Sequence, residues 1–208
     1  MDVNALVNTL CNGSTELYGA LMDLFTYEPD SFEHREQFIE ALSTKAYSGN
    51  AIAQSFLSAL YLNGMGVEED VPKALSLARR SASLGEPSGE VMLGLMYLYG
   101  YEITEDYSRA LYWFQLASSK GNADANNYLG TMYENGVGVK ADAKEAVKYY
   151  KAAADTKNPC GLYNLGCCYD VGYGVPQDTN EAMRLYGLAA PRFPRAQEAL
   201  DVLKSRAA

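Results

Sequence analysis

Apolar positions along this chain fall at helical spacing in paired segments, and the pairs recur every 36 residues from about residue 49 to residue 190. In the first segment of each pair a small residue (Ala53, Gly89, Ala125, Gly161) precedes Leu57, Leu93, Leu129 or Leu165, and then Tyr61, Tyr97, Tyr133 or Tyr169. Steps of four keep these side chains on one helix face. Glycine follows at Gly64, Gly100, Gly136 and Gly172, and aspartate at Asp70, Asp106, Asp142 and Asp178. The second segment then places Ala74, Ala110, Ala146 and Ala182 in register. The pattern predicts a helix A over 51–62, 87–98, 123–134 and 159–170, and a helix B over 70–84, 106–120, 142–156 and 178–190. Such a unit cannot bury its apolar face alone, so neighbours supply the core and a long surface stays open for binding.

The interruptions are as regular as the helices. The glycine column suits a left-handed C-cap for helix A. Gly66-Val67, Gly138-Val139 and Gly174-Val175 follow, each valine folding back onto its hairpin, and the aspartate column is placed to N-cap helix B. Asp142 with Glu145, and Asp178 with Glu181, resemble a capping box with carboxylate in place of hydroxyl. The second repeat departs from the rule, because its turn reads Gly100-Tyr101-Glu102-Ile103. If the Glu102 position demands positive φ, this turn must be built differently. Within helix A, Ser58, Gly94, Gly130 and Gly166 follow the leucine. Mid-helix glycine costs roughly 0.5–1 kcal/mol, so its recurrence predicts a close helix crossing, with the alanine column of helix B opposite.

Residues 14–48 read as a degenerate repeat. Leu21, Phe25, Leu42, Ala46 and Gly49 keep register while the turn YEPDSFEHRE has lost its glycines. After the fourth repeat, Pro191 and Pro194 break helix B, and residues 195–206 form a short helix with Ala196, Leu200 and Leu203 inward. The expected fold is all-α, a right-handed α/α superhelical solenoid of 36-residue helix-turn-helix repeats. It is expected as a single domain: an N-terminal cap over 1–48, full repeats over 49–84, 85–120, 121–156 and 157–190, and a C-terminal capping helix over 191–208.

Composition narrows the function more than it assigns one. Hydrophobic residues make up 48% of the chain, enough for a buried core. A net charge of −9 argues against nucleic acid and anionic membrane as partners. No run of about 18 apolar residues exists, so direct membrane insertion is not expected. The N-terminus lacks the basic-then-apolar order of a secretory signal. Cys160, Cys167 and Cys168 share one predicted helix, and Cys11 lies four repeats away. Cys160 and Cys168 are eight residues apart, about 12 Å along a helix, too far for a bridge. Reduced thiols in a cytoplasmic protein are therefore expected.

The repeat unit, clearest in ADANNYLGTMYENGVGVKADAKEAVKYYKAAA from Ala123 to Ala154, resembles the SEL-1-like repeat (SLR), a relative of the tetratricopeptide repeat with a longer turn. The resemblance covers nearly the whole chain. It implies an adaptor or scaffold that binds proteins or peptides, often in regulatory or membrane-quality-control assemblies. A cysteine-rich secreted branch of that family staples each hairpin with a disulfide and is linked to β-lactam binding; this chain lacks the paired cysteines. A dedicated inhibitor or immunity partner of one effector is the alternative binding role, and a hydrolase or β-lactam-binding protein the alternative class.

Chemistry is thinly supplied, and no enzyme is expected. His34, the only histidine, lies in SFEHREQ and is expected to be solvent-exposed. No cysteine has a histidine in register to act as base. Cys160, Cys167 and Cys168 lack a fourth zinc ligand, so no metal or cofactor is expected. The glycine turns follow no strand and carry no P-loop lysine, and caps explain them. Charge runs such as Glu68-Glu69-Asp70 read as solvated faces.

In related solenoids helix A lines the concave wall, so its variable positions are the binding candidates. They are Ile52, Ser55, Phe56, Ala59 and Asn63; Val91, Met92, Leu95, Leu98 and Tyr99; Asn127, Tyr128, Thr131, Glu134 and Asn135; and Tyr163, Asn164, Cys167, Asp170 and Val171. Repeat two offers an apolar wall in Val91, Met92, Leu95 and Tyr99. Asn127 and Asn164 carry both donor and acceptor, so they are expected to hold a peptide main chain, with Thr131 and Tyr163 beside them. Phe56, Met92, Leu95 and Tyr128 would then take apolar side chains. Charge is uneven too: Glu28, Asp30, Glu33, Glu36 and Glu40 near one end, Arg184, Arg192, Arg195, Lys204 and Arg206 near the other. That gradient could orient a protein partner or pair two copies head to tail, and a monomer fits the pattern equally.

Overall fold

The structure is a computed structural model that describes residues 2–27 and 34–207. Among the described residues there are twelve α-helices and no strand. Three precede the regular repeats: α1 (Val3–Cys11), α2 (Thr15–Tyr27) and α3 (Arg35–Tyr47). The repeats follow as α4 (Ala51–Asn63) with α5 (Val71–Ser83), then α6 (Pro87–Tyr99) with α7 (Tyr107–Ser119). Next come α8 (Ala123–Asn135) with α9 (Ala143–Asp155), and α10 (Pro159–Val171) with α11 (Thr179–Ala189). The last is α12 (Pro194–Ala207), with Pro194 at its first position. The chain divides into two compact units, Met1–Trp113 and Phe114–Ala208, with the division inside α7.

In the first unit α4 packs on α5, α5 on α6, and α4 on α6, the layering that the repeated faces require. Helices α1 and α3 cover α4. Leu21, Phe25, Leu42 and Ala46 are buried, as their register predicts. Helix α1 was not anticipated from the pattern. Asp2 starts it by accepting from the amides of Asn4 and Ala5, and Val7 and Leu10, one turn apart, are buried. In the second unit α8 packs on α9, α9 on α10, α10 on α11 and α11 on α12. Ala196, Leu200 and Leu203 of α12 close its core.

Repetition extends to individual backbone atoms. Gly64, Gly100, Gly136 and Gly172 adopt left-handed φ of 64°, 70°, 68° and 74°, and end helix A. The amide of each aspartate donates to the carbonyl of the tyrosine nine residues back, as from Asp142 to Tyr133 at 2.9 Å. Each aspartate carboxylate caps helix B, as from Lys73 N to Asp70 at 2.9 Å. The capping boxes are only half formed. Because the cap amide is already taken, Glu145 turns outward to Lys148 at 2.9 Å and Glu181 to Arg184 at 2.7 Å. Helix A has its own cap column, unforeseen in the pattern: Asn50, Glu86, Asn122 and Asn158 each accept from an amide of the first turn.

The turn of repeat two is a second departure from expectation. Glu102 has φ of 54°, close to the 72°, 69° and 69° of Gly66, Gly138 and Gly174. The glutamate takes the glycine conformation, so the turn keeps its geometry and carries the strain.

The close crossing inside each repeat is real, but its opposing surface differs from the one expected. A Cβ on Gly130 would lie 2.5 Å from Cδ1 of Tyr150, and one on Gly166 would lie 2.7 Å from Cε1 of Tyr186. The alanine column is fully buried nearby, yet a tyrosine one turn later on helix B fills the space. In the first repeat the glycine becomes Ser58, the tyrosine position becomes Ala78, and the Ser58 hydroxyl donates to the Ala74 carbonyl at 2.8 Å.

Candidate functional site

The positions proposed from sequence divide by unit. In the first unit most of them belong to the core. Phe56 is fully buried, with the rings of Tyr18, Phe25 and Phe38 at 5.0, 6.1 and 6.0 Å. Val91 and Met92 are buried and Leu95 packs beside the same cluster as Met92. Tyr99 is well exposed, at 58%, in ring contact with Tyr101 at 5.7 Å, and Asn63 is exposed as well. Val91 and Met92 of the expected apolar wall of repeat two are therefore interior, and Tyr99 is left at the surface. Phe56 and Met92 cannot anchor a partner's side chains, because helix packing already uses them.

The second unit keeps its helix A positions at the surface. Asn127, Tyr128 and Thr131 on α8, and Tyr163 and Asn164 on α10, are all half-buried. Tyr128 stacks on Phe114 at 5.1 Å, and Tyr163 rests against Tyr186 and Phe193, so neither ring is a free anchor. The two asparagines pair with each other: Asn164 Nδ2 donates to Asn127 Oδ1 at 2.8 Å. Among the described residues, Asn127 Nδ2 and Asn164 Oδ1 make no further hydrogen bond. The pair therefore presents an unspent donor beside an unspent acceptor, the complement of one peptide group.

Two residues that the sequence reading did not place in this site complete the surface. Tyr150 crosses under Gly130 and delivers its hydroxyl to Glu134 and, at 3.3 Å, to Thr131. Tyr186 crosses under Gly166 in the same way and donates to the Cys167 sulfur at 3.4 Å. Both hydroxyls thus reach the helix A face from helix B. Burial raises both phenols well above the ordinary tyrosine range, and they act as neutral donors. A sequence signal for them existed: glycine at 130 and 166 pairs with tyrosine 20 residues on, whereas Ser58 pairs with Ala78.

Helices α8 and α10 carry charge of one sign, while Arg195 of α12 lies close enough to act on Tyr163. Helices α8 and α10 contain Asp124, Glu134 and Asp170 and no lysine, arginine or histidine. Asp124 accepts from Asn158 Nδ2 at 2.7 Å. Glu134 and Asp170 occupy equivalent places, 36 residues apart, in the last turns of their helices, where the helix dipole adds negative potential.

The thiols near these groups are not activated. Burial raises the Cys167 thiol and pushes Cys168 up to about 12, so both stay protonated at neutral pH. His34 is half-buried at the start of α3, where full exposure was expected, and it makes no side-chain cap. All four cysteines are free thiols. Among the described residues no histidine, cysteine and carboxylate group could hold a metal, and no helix is long and apolar enough to cross a membrane. Of the charge gradient, Glu28, Asp30 and Glu33 lie outside the described residues.

The family model of the Sel1 repeat matches residues 51–86, 87–122, 123–156 and 161–190. Among solved structures the chain is similar to a Sel1 repeat protein from Oxalobacter formigenes, with 28% identity and a TM-score of 0.69. That match covers 83% of this chain and 72% of the other. It is similar as well to c5321, a protective antigen present in uropathogenic Escherichia coli that displays an SLR fold, at 28% identity and a TM-score of 0.63. There 91% of this chain matches only 41% of the longer one. The immunity protein Pa5087 of Pseudomonas aeruginosa shares the fold, at 22% identity and a TM-score of 0.50 over 87% of this chain and 85% of that one. No curated protein matches the sequence.

Proposed function

Because the chain belongs to the Sel1 repeat family, whose members are generally protein-interaction scaffolds, we propose that it is a non-catalytic adaptor that holds an extended segment of a partner protein across α8 and α10. The observation that carries this reading is the Asn127–Asn164 pair. The mutual hydrogen bond fixes both amides, so the unspent donor and acceptor are already oriented and little rotamer entropy is lost on binding. A main chain can bridge them whatever its side chains are. The four free thiols support a reducing compartment, and we place the protein in the cytoplasm.

Affinity capture with the wild type beside the Asn127→Ala/Asn164→Ala double variant tests the reading. Retention of a partner by wild type alone is the expected result. Equal retention by both would remove the asparagine pair from the interface while leaving the adaptor role. A single stoichiometric complex, instead of several weaker ones, would favour a dedicated inhibitor or immunity role.

A further inference from the structure

We infer that the segment received by α8 and α10 is cationic, bearing lysine or arginine side chains directed at Glu134 and Asp170. This inference rests on the adaptor reading above and adds the chemistry of its partner. Three observations in the second unit lead to it. First, the two helices that carry the asparagine pair contain no basic residue, while the neighbouring α9 carries Lys144, Lys148 and Lys151. Both helices are thus without a positive side chain of their own. Second, Glu134 and Asp170 stand at one register position in adjacent layers, each in the last turn of its helix. Two carboxylates and two helix C-termini add their negative potential there. Third, among the described residues neither carboxylate is held in an ion pair. The Glu134 carboxylate accepts from the neutral Tyr150 hydroxyl, and Asp170 is engaged through its backbone carbonyl by Gln177 at 2.6 Å.

Stacked helices lie about 8–10 Å apart, and an extended chain advances roughly 3.3 Å per residue. Basic residues about three positions apart on the partner therefore match the spacing of the two acids. The asparagine pair lies nearer the helix N-termini and meets the main chain, so amide and carboxylate contacts fall on different parts of the same face.

The test uses the whole protein, isotope-labelled for NMR, and three soluble peptides of serine, alanine and threonine. One carries two lysines about three residues apart, and its twins carry glutamine or glutamate there. Side-chain amide signals of Asn127 and Asn164 report main-chain contact, and backbone amides at Glu134 and Asp170 report the charged contact. The expected result is binding of the lysine peptide at least about fivefold tighter than the glutamine twin at low salt, a gap that narrows as salt rises. The same gap should vanish in Glu134→Gln/Asp170→Asn, which keeps the Tyr150 acceptor, and persist in Glu68→Gln/Glu69→Gln on the exposed turn of the first repeat. Equal binding of the lysine and glutamine peptides, with both moving the asparagine signals, would overturn the cationic partner and leave the adaptor reading. Loss of the gap in the Glu68/Glu69 variant would show mere attraction to an acidic protein and overturn it as well. If no peptide moves the asparagine signals, the asparagine pair is removed as the main-chain contact and the cationic segment across α8 and α10 falls with it.

Discussion

Replacing Gly130 by alanine sets two well-measured effects against each other, and the structure decides between them. Alanine in a helix interior is favoured over glycine by about 0.5–1 kcal/mol. Against that, the new methyl would stand 2.5 Å from Cδ1 and 3.0 Å from Cζ of Tyr150, and closer still to Cε1. Carbon atoms pack comfortably at about 3.5–4.0 Å, so ring or helix must retreat by about 1 Å. Tyr150 has little room to do so, being 1% exposed with its hydroxyl tied to Glu134 and Thr131. Overpacking of a tight core costs about 1–3 kcal/mol, and a hydrogen bond lost in the retreat about 1 more. Gly130→Ala should therefore destabilise the protein by about 1–3 kcal/mol after the helix-propensity gain. Gly187→Ala is the control, since a Cβ there meets nothing nearer than Leu200 at 4.0 Å. It should stabilise by about 0.5–1 kcal/mol. Urea unfolding followed by circular dichroism reads both as shifts in midpoint at unchanged slope. If Gly130→Ala stabilises as Gly187→Ala does, the tyrosine-under-glycine packing is wrong.

Other consequences are as direct. Glu102→Gly and Lys157→Gly relieve residues held at φ of 54° and 61°, so each should raise Tm, by up to about 1 kcal/mol of stability; an unchanged or lower Tm for both would refute the strain. Asn127→Ala and Asn164→Ala should each cost about 0.5–1.5 kcal/mol, while the double variant costs about as little as one of them, because it strands no partner; additive losses in a double-mutant cycle would mean the pair is not coupled. Cys168 should resist alkylation in the native state at pH 8. Its thiol is raised in the fold by burial, so the unfolded chain ionises first, and this contribution to stability is whole below about pH 9 and lost as pH rises toward 12. A Tm that stays level from pH 8 to pH 11 would contradict that burial.

Positions with one local job were readable from the sequence, and those whose job depends on a neighbour were not. The aspartate caps, the glycine C-caps and the buried leucine and alanine columns follow from helix geometry alone, and the structure has them all. Phe56 was misread because its environment comes from elsewhere: the rings of Tyr18, Phe25 and Phe38 lie on helices outside the regular repeats. Its column position is variable for a packing reason that spacing cannot reveal. Helix α1 escaped because its two buried residues, Val7 and Leu10, give too short a pattern to count. Tyr150 and Tyr186 escaped because a glycine was matched with the nearest repeated small residue. The correct partner needed a rule about volumes across the crossing, small against large in repeats three and four, and Ser58 with Ala78 in repeat one.

That exchange of volumes also explains why a polar helix A face survives in the second unit. A tyrosine crossing under glycine brings a hydroxyl through the layer to the helix A surface, where Thr131, Glu134 and Cys167 receive it. Polar residues there are held in place by a buried scaffold, so the surface is ordered before any partner arrives. The first repeat, with Ala78 in place of the tyrosine, sends no such hydroxyl through, and its equivalent helix A positions, Ser55, Phe56 and Ala59, are buried. Converting the third repeat toward the first, by Gly130→Ser with Tyr150→Ala, should therefore damage the site more than the fold. Serine fills part of the vacated space, limiting the loss below the about 3–5 kcal/mol of a bare aromatic-to-alanine change. Glu134 and Thr131 would lose their common donor, and the asparagine amide signals next to them should broaden or split in NMR spectra. Sharp, unshifted asparagine signals in that variant would mean the tyrosine supports only the core and has no part in shaping the face.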